Sequence, residues 1–389
     1  MPATTGQVTP SQEAGRPAPQ TTTQPAGGPF IRHAQPGRQL QFLLTSQAFS
    51  TPVNQPLRSQ PGYLRALRLR VACTGSSAST SVAMAADGPF NLASLVSFYD
   101  AFGTPIIVAP GWEALYAIPK YGGQFGVGLA ADPKQLYSWA AVTSASGASA
   151  GNFTFATAIP LEVVKGVGCI SVANAALLPR LQILTNPAAT VYATGTTPGT
   201  AGTMEYDVDG DFYWLPDQPV EPPGLGTTAQ WILNVANPTI GSTANQVVTL
   251  PRPGGYLTGI ILILRDSGGA RIDAFGTRLT FLVDGVPLID TRFDTLVDDM
   301  YIENQWGANV TGGVTRDTGV IVISRKTSLG RQILGLLDSG ETLLSTNPGT
   351  SLALQCSPWG TISNAPATLN VLMCQIVPAG NIVLGLPEV

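Results

Sequence analysis

The run Pro253-Gly254-Gly255-Tyr256-Leu257-Thr258-Gly259-Ile260-Ile261-Leu262-Ile263-Leu264 has a near copy earlier in the chain, Pro61-Gly62-Tyr63-Leu64-Arg65-Ala66-Leu67-Arg68-Leu69-Arg70. In both, a Pro/Gly turn delivers the chain into a strand-forming stretch that opens on a tyrosine. A turn and strand used twice point to two related modules. Further features recur in the same order. Phe42-Leu43-Leu44 followed by Thr51-Pro52-Val53-Asn54-Gln55 matches Trp231-Ile232-Leu233 followed by Thr243-Ala244-Asn245-Gln246-Val247. The stretch from Leu95 to Ile106 is echoed from Leu279 to Leu288, and each copy then reaches a tryptophan, Trp112 or Trp306. Tyr63 and Tyr256 are separated by 193 positions and the two tryptophans by 194.

At 389 residues the chain has room for two ordinary cores. Its 43 glycines and 32 prolines disfavour long helices and suit short strands joined by turns. Charged residues make up only 11%, so much of the surface is expected to be covered by other subunits. The net charge of -4 is unevenly spread. Seven arginines and one acid, Glu13, precede Asp87, whereas acids gather between Glu205 and Glu221 and again between Asp284 and Glu303. A basic front of this kind suits a phosphate-bearing surface or an intersubunit contact. Cys73, Cys169, Cys356 and Cys374 share no CxxC spacing and read as reduced, buried small residues. No apolar run approaches the ~20 residues of a bilayer span.

Residues 1–37, rich in Pro, Thr, Gln and Gly, are expected to form an extended arm, with a short helix at Thr9–Ala14. The first module is expected over 38–216, a Pro/Gly-rich linker over 217–229 and the second module over 230–389. Strands are expected at Leu40–Leu44, Tyr63–Val71, Ser94–Tyr99, Trp139–Val142, Asn152–Ile159, Gln182–Leu184, Thr203–Val208 and Asp211–Leu215. The second module should carry them at Gln246–Leu250, Tyr256–Leu264, Arg278–Val283, Gly319–Ser324, Ser351–Gln355 and Leu369–Ile376. A short helix at Gly111–Tyr116 should stop at Pro119, and Phe293, Leu296, Val297 and Met300 space a helix over Arg292–Tyr301. About eight short strands per module imply an all-β chain of paired sheets around two cores.

The sequence lacks the raw material of the common catalytic sites. The one histidine, His33, lies in the arm, where nothing holds it beside a nucleophile. Four scattered cysteines do not compose a zinc site. Asp207-Val208-Asp209-Gly210-Asp211 has oxygen ligands near a glycine but no EF-hand spacing, and reads as an exposed acidic turn rather than a cation site. Asp298, Asp299 and Glu303 are the carboxylates a glycosidase would need, and they would also need a cleft between them. No catalytic, cofactor-binding or metal-ligating residue is assigned. Tyr63, Trp112, Tyr256 and Trp306 are expected to pack cores or modules.

The stretch Asp87-Gly88-Pro89-Phe90-Asn91-Leu92, continuing through Val96-Ser97-Phe98-Tyr99-Asp100 to Gly111-Trp112, resembles the major capsid proteins of tectiviruses, tailless icosahedral bacteriophages with an internal membrane. Thr9-Pro10-Ser11-Gln12-Glu13-Ala14 is similar to the start of that family's membrane-facing arm. The resemblance implies a double jelly roll, two tandem eight-stranded antiparallel sandwiches with short helices in loops. It implies pseudo-hexameric homotrimers in the outer icosahedral shell of a virion, in contact with neighbouring trimers and with vertex or minor capsid proteins. It implies no enzyme activity, no cofactor and no recognition of a nucleic-acid sequence. Arg16, Arg32 and Arg38 are the arm residues expected to face neighbours or membrane, although Pro17, Pro19, Pro25, Pro29 and Pro36 forbid a long amphipathic helix there. Two other readings are a two-domain sandwich that binds carbohydrate and a minor or vertex capsid protein.

Overall fold

The computed structural model describes residues 34–121, 138–143, 146–162, 168–214, 227–240, 246–250, 256–303, 316–324, 344–345, 349–357, 359–362 and 364–378. The first half runs β1 (Gln35–Gln47), β2 (Val53–Pro56), β3 (Tyr63–Thr74), β4 (Ser77–Ala78), β5 (Ala93–Tyr99), β6 (Pro105–Ala109), β7 (Ser138–Ala141), β8 (Gly147–Ala148), β9 (Phe153–Pro160), β10 (Ile170–Ser171), β11 (Arg180–Thr185) and β12 (Thr203–Trp214). The second runs β13 (Thr227–Ile240), β14 (Gln246–Leu250), β15 (Tyr256–Arg265), β16 (Arg278–Val283), β17 (Val286–Arg292), β18 (Val320–Ser324), β19 (Leu344–Ser345), β20 (Leu352–Cys356) and β21 (Ala367–Pro378). Helix is confined to loops: a 3-10 turn at Phe90–Leu92, a π turn at Glu113–Ala117 leading into α1 (Ile118–Tyr121), α2 (Ala188–Val191) and α3 (Phe293–Glu303).

The two halves share one topology. The principal sheets of the first are β1-β12-β3-β9 and β2-β11-β5-β6, and those of the second are β13-β21-β15-β18 and β14-β20-β16-β17. Ranking the eight principal strands of each half in chain order, both halves read first-eighth-third-sixth in one sheet and second-seventh-fourth-fifth in the other. The quoted stretches at Tyr63 and Tyr256 open the third-ranked strand in each. The halves are joined edge to edge, because β6 pairs in parallel with β13 through Ile107↔Trp231 and Ile232↔Val108, making one nine-stranded sheet that crosses the boundary.

Local chemistry accounts for the deciding motif. Gly62 has φ +137, and a Cβ there would lie 2.5 Å from the carbonyl oxygen of Tyr213, so only glycine fits before β3. The imperfect alternation of Leu64 to Arg70 is a β-bulge. Leu64 pairs with Phe212 and Ala66 with Asp211, leaving Arg65 as the extra residue. Beyond it, Leu67, Leu69, Val71 and Cys73 enter the first core while Arg68 and Arg70 point away. In β15 the alternation is gone for a different reason. Ile260, Leu262 and Leu264 belong to the second core, whereas Ile261 and Ile263 join the first, together with Val320, Val322, Leu372 and Cys374. The strands β15, β18 and β21 are therefore apolar on both faces, and burying each such aliphatic side chain contributes about 1.5–3 kcal/mol.

Three local expectations are corrected. Pro119 does not end the helical segment that begins at Gly111. The Ile118 N–H reaches back five residues to the Glu113 carbonyl, and this wider π turn carries the chain past the proline into α1. Asp207–Asp211 is not a turn but the middle of β12, which runs unbroken where two strands were expected. Val208 is buried and the three aspartates point outward, while Gly210 faces inward because a Cβ there would meet the Phe212 ring at 2.4 Å. Finally, β1 begins at Gln35, inside the expected arm, and β13 begins at Thr227, inside the expected linker. Both strand starts are built largely of polar or turn-forming residues, so periodicity alone does not find them. The Thr9–Ala14 helix lies outside the described residues.

Candidate functional site at the seam and the open edges

Along the β6·β13 junction the first half contributes Asp87, Trp112, Glu113, Tyr116, Lys120 and Tyr121, and the second contributes Arg265, Arg271, Asp317 and Asn370. Arg265, at the end of β15, donates from Nε and Nη2 to Glu113 Oε1 at 3.2 and 2.9 Å, and from Nη1 to Asp87 Oδ2 at 2.6 Å. Arg271 Nε donates to the other oxygen of Asp87 at 2.9 Å. The Arg271 guanidinium lies 4.3 Å from the Trp112 ring centroid and that of Arg265 lies 5.5 Å from it, so the indole sits among both cations. Asn370 Nδ2 adds a hydrogen bond to Glu113 Oε1 at 3.2 Å.

A second knot surrounds Asp317, just before β18. Its Oδ2 accepts from Lys120 Nζ at 2.7 Å and from the Tyr121 hydroxyl at 2.6 Å, and its Oδ1 accepts from the Tyr116 hydroxyl at 3.2 Å. The Asp317 N–H returns a bond to the Tyr121 oxygen at 2.8 Å. Glu113 and Lys120 are 2% and 3% exposed, so this is a buried network, with three acids facing three bases. Burial lowers the pKa of Lys120 against the pull of Asp317. It raises that of Tyr121 well above 10.0, reinforced by the Asp317 charge. For Arg265 burial works against the charge, but Glu113 and Asp87 together outweigh it and the pKa rises. Such groups hold one another in fixed geometry.

The outer face of β1-β12-β3-β9 is different. Arg38 and Arg68 both pair with Asp211 at 2.8 Å, and Arg70 approaches Glu205 at 3.6 Å, all partly or well exposed. Of the strands with an edge that lacks a partner among the described residues, two are the counterparts of the junction strands β13 and β6. The first is β1, with Leu40 37% and Leu43 50% exposed; the second is β17, with Val286 66% and Leu288 43% exposed.

The residues singled out from the sequence fall as follows. Tyr63 is 9% exposed and packs with Cys169 and Tyr213 in a small cluster of its own. Trp112 is 4% exposed, at the seam. Arg38 lies on β1 in the ion pair with Asp211. Asp298 and Asp299 stand exposed on α3, and Glu303 is its last residue. All four cysteines are buried, and none is in a disulfide. Arg16, Arg32, His33 and Trp306, and the side chain of Tyr256, lie outside the described residues. Sequence reasoning quoted Asp87 and Trp112-Glu113 but assigned the two acids no role, and it missed Lys120, Arg265, Arg271 and Asp317. Their pairings span 152 to 197 positions, and no local pattern marks them.

No protein-family model and no curated protein matches the sequence. Solved structures do match the fold. The STIV MCP, from Sulfolobus Turreted Icosahedral Virus, superposes with a TM-score of 0.60 at 14% identity, covering 88% of this chain and 97% of that one. The PBCV-1 virus capsid gives 0.52 at 13% identity over 88% and 93%. The major capsid protein P2 from Bacteriophage PM2 gives 0.50 at 9% identity over 89% and 99%. The chain has the double jelly-roll fold. In this double jelly roll the seam is the contact between the two rolls, and the edges of β1 and β17 are the ends of the tandem.

Proposed function

We propose that the chain is a major capsid protein that forms pseudo-hexameric homotrimers tiling an icosahedral shell, of the kind that surrounds an internal membrane in tectivirus-like bacteriophages. The observation that carries this reading is the end-to-end match of both rolls to capsid subunits. Two similar rolls in each of three chains give six similar faces, which suit a near-hexagonal lattice. The division into an arm, two rolls and a linker belongs to the same reading, with the first roll entered at Gln35 and the second at Thr227. So does the place of the protein, in the virion shell beside neighbouring trimers and vertex proteins. Low charge supports it, because subunits that pack closely over large areas need little surface repulsion. Arg16 and Arg32 in the arm are the residues proposed to meet neighbours or lipid headgroups. The role is structural rather than enzymatic. Among the described residues no cluster of His, Cys, Asp or Glu is arranged to hold a metal.

Sedimentation of the purified chain tests the proposal, with negative-stain imaging of the product. Trimers that build curved sheets or shells are expected. A stable monomer that binds oligosaccharide would replace the capsid reading with that of a carbohydrate-binding protein.

A further inference from the structure

Inside one chain the fifth-ranked strand of the first roll, β6, pairs in parallel with the first-ranked strand of the second, β13. The counterparts of these two strands are β17 and β1, and each has one edge without a partner among the described residues. An open edge presents a row of unpaired N–H and C=O groups and is a template for pairing with another chain. Charges, prolines and bulges guard such edges, and both strands carry some of them, Arg38 and two register shifts in β1 and Pro287, Asp290 and Arg292 in β17, yet Leu40 and Leu43 on β1 and Val286 and Leu288 on β17 stay exposed. At 13 and 7 residues, both strands are longer than the stretch of β6 that meets β13. The two strand ranks that join the rolls inside the chain are thus both open elsewhere in the tandem, the first in β1 and the fifth in β17.

We propose that β17 of one copy pairs in parallel with β1 of the next, repeating the β6·β13 junction between chains. The contact is heterologous, so it propagates head to tail and closes when the rotation per roll brings the last copy back to the first. With six rolls in the ring, closure takes three copies, and each sheet of the second roll's β14-β20-β16-β17 type continues into the neighbour's β1-β12-β3-β9. This pairing presupposes the homotrimer reading above and adds which edges make the trimer.

The test uses the full chain. Sedimentation first establishes the trimer; a chain that stays monomeric at assembly concentrations overturns the homotrimer reading and this pairing with it. Given a trimer, single-cysteine variants are made at Leu40→Cys, Leu43→Cys, Val286→Cys and Leu288→Cys, the native cysteines being buried. A short bis-maleimide is expected to link β1 variants to β17 variants when the two are co-assembled, and a chain carrying one cysteine on each strand is expected to give a covalently closed trimer. Neither variant alone should link to itself. Trimers in which no β1–β17 combination reacts, or in which β1 variants link to one another, overturn the edge pairing while leaving the homotrimer intact. As an independent measurement, Leu40→Lys with Leu43→Lys, and Val286→Lys with Leu288→Lys, are each expected to sediment as monomers with unchanged melting. Trimers that persist in both double variants overturn the proposal.

Discussion

The third-ranked strands of the two rolls, β3 and β15, descend from the same position in the repeat and face different surroundings. At a separation of 193 residues, Arg68 and Arg70 of β3 correspond to Ile261 and Ile263 of β15. The arginines point from the outer face of the first roll, where Asp211 and Glu205 pair with them. The isoleucines lie in the first core, because the first roll covers that face of the second. One strand is an amphipathic wall and the other a buried partition, and the difference shows which of two homologous surfaces is closed during folding. A contact made once inside a chain can be apolar, like an obligate interface. A surface that faces solvent in the folded chain keeps its charges.

Exchanging the two side-chain types tests this contrast, and the largest effect is expected at the partition. Ile263→Arg forces a charge and a longer side chain into a fully buried, packed site, and should cost more than about 4 kcal/mol or prevent folding, read by urea denaturation or soluble yield. At the polar part of the seam, Asp317→Ala strands the 3%-exposed Lys120, and a loss of about 3–5 kcal/mol in the same assay is expected. Tyr121→Phe should cost about 1 kcal/mol at neutral pH and change the alkaline response. The pKa of Tyr121 is raised in the folded state, so its stabilising contribution is present below the ordinary value of 10.0 and is lost as pH climbs past it toward the folded value. Melting temperatures measured above pH 10 should therefore fall less steeply in the variant than in the parent. The smallest effect belongs to the wall. Arg70→Ile breaks a half-exposed pair with Glu205 and should change stability by no more than about 1 kcal/mol. A loss at Arg70 as large as at Ile263 would mean that the two faces are equally closed in the folded chain.

The charged seam answers a different need from the surface pairs. A buried ion pair stabilises little against an apolar replacement of the same shape, but it penalises every alternative geometry, since any slip leaves a desolvated charge alone. Trp112, held among two guanidinium groups, adds an apolar surface that fits only when Arg265 and Arg271 are both in place. The two rolls are thereby fixed in one orientation.

The amino-acid sequence by itself determined the doubling of the module, the positions of most principal strands and the scarcity of catalytic groups. These are written in short-range patterns: a Pro-Gly-Tyr turn, period-two alternation, an Asp-Gly hairpin whose residues 284 and 285 take φ 50 and 77. It was also enough to draw attention to Asp87 and to Trp112-Glu113. Only the tertiary structure decided that these residues meet Arg265 and Arg271, that Asp207–Asp211 continues a strand, and that the unbroken run at Ile260–Leu264 is buried from two sides. The physical reason is range. Turn and strand preferences act between neighbours a few residues apart, whereas ion pairing and two-sided burial depend on which distant segments the sheet order brings together.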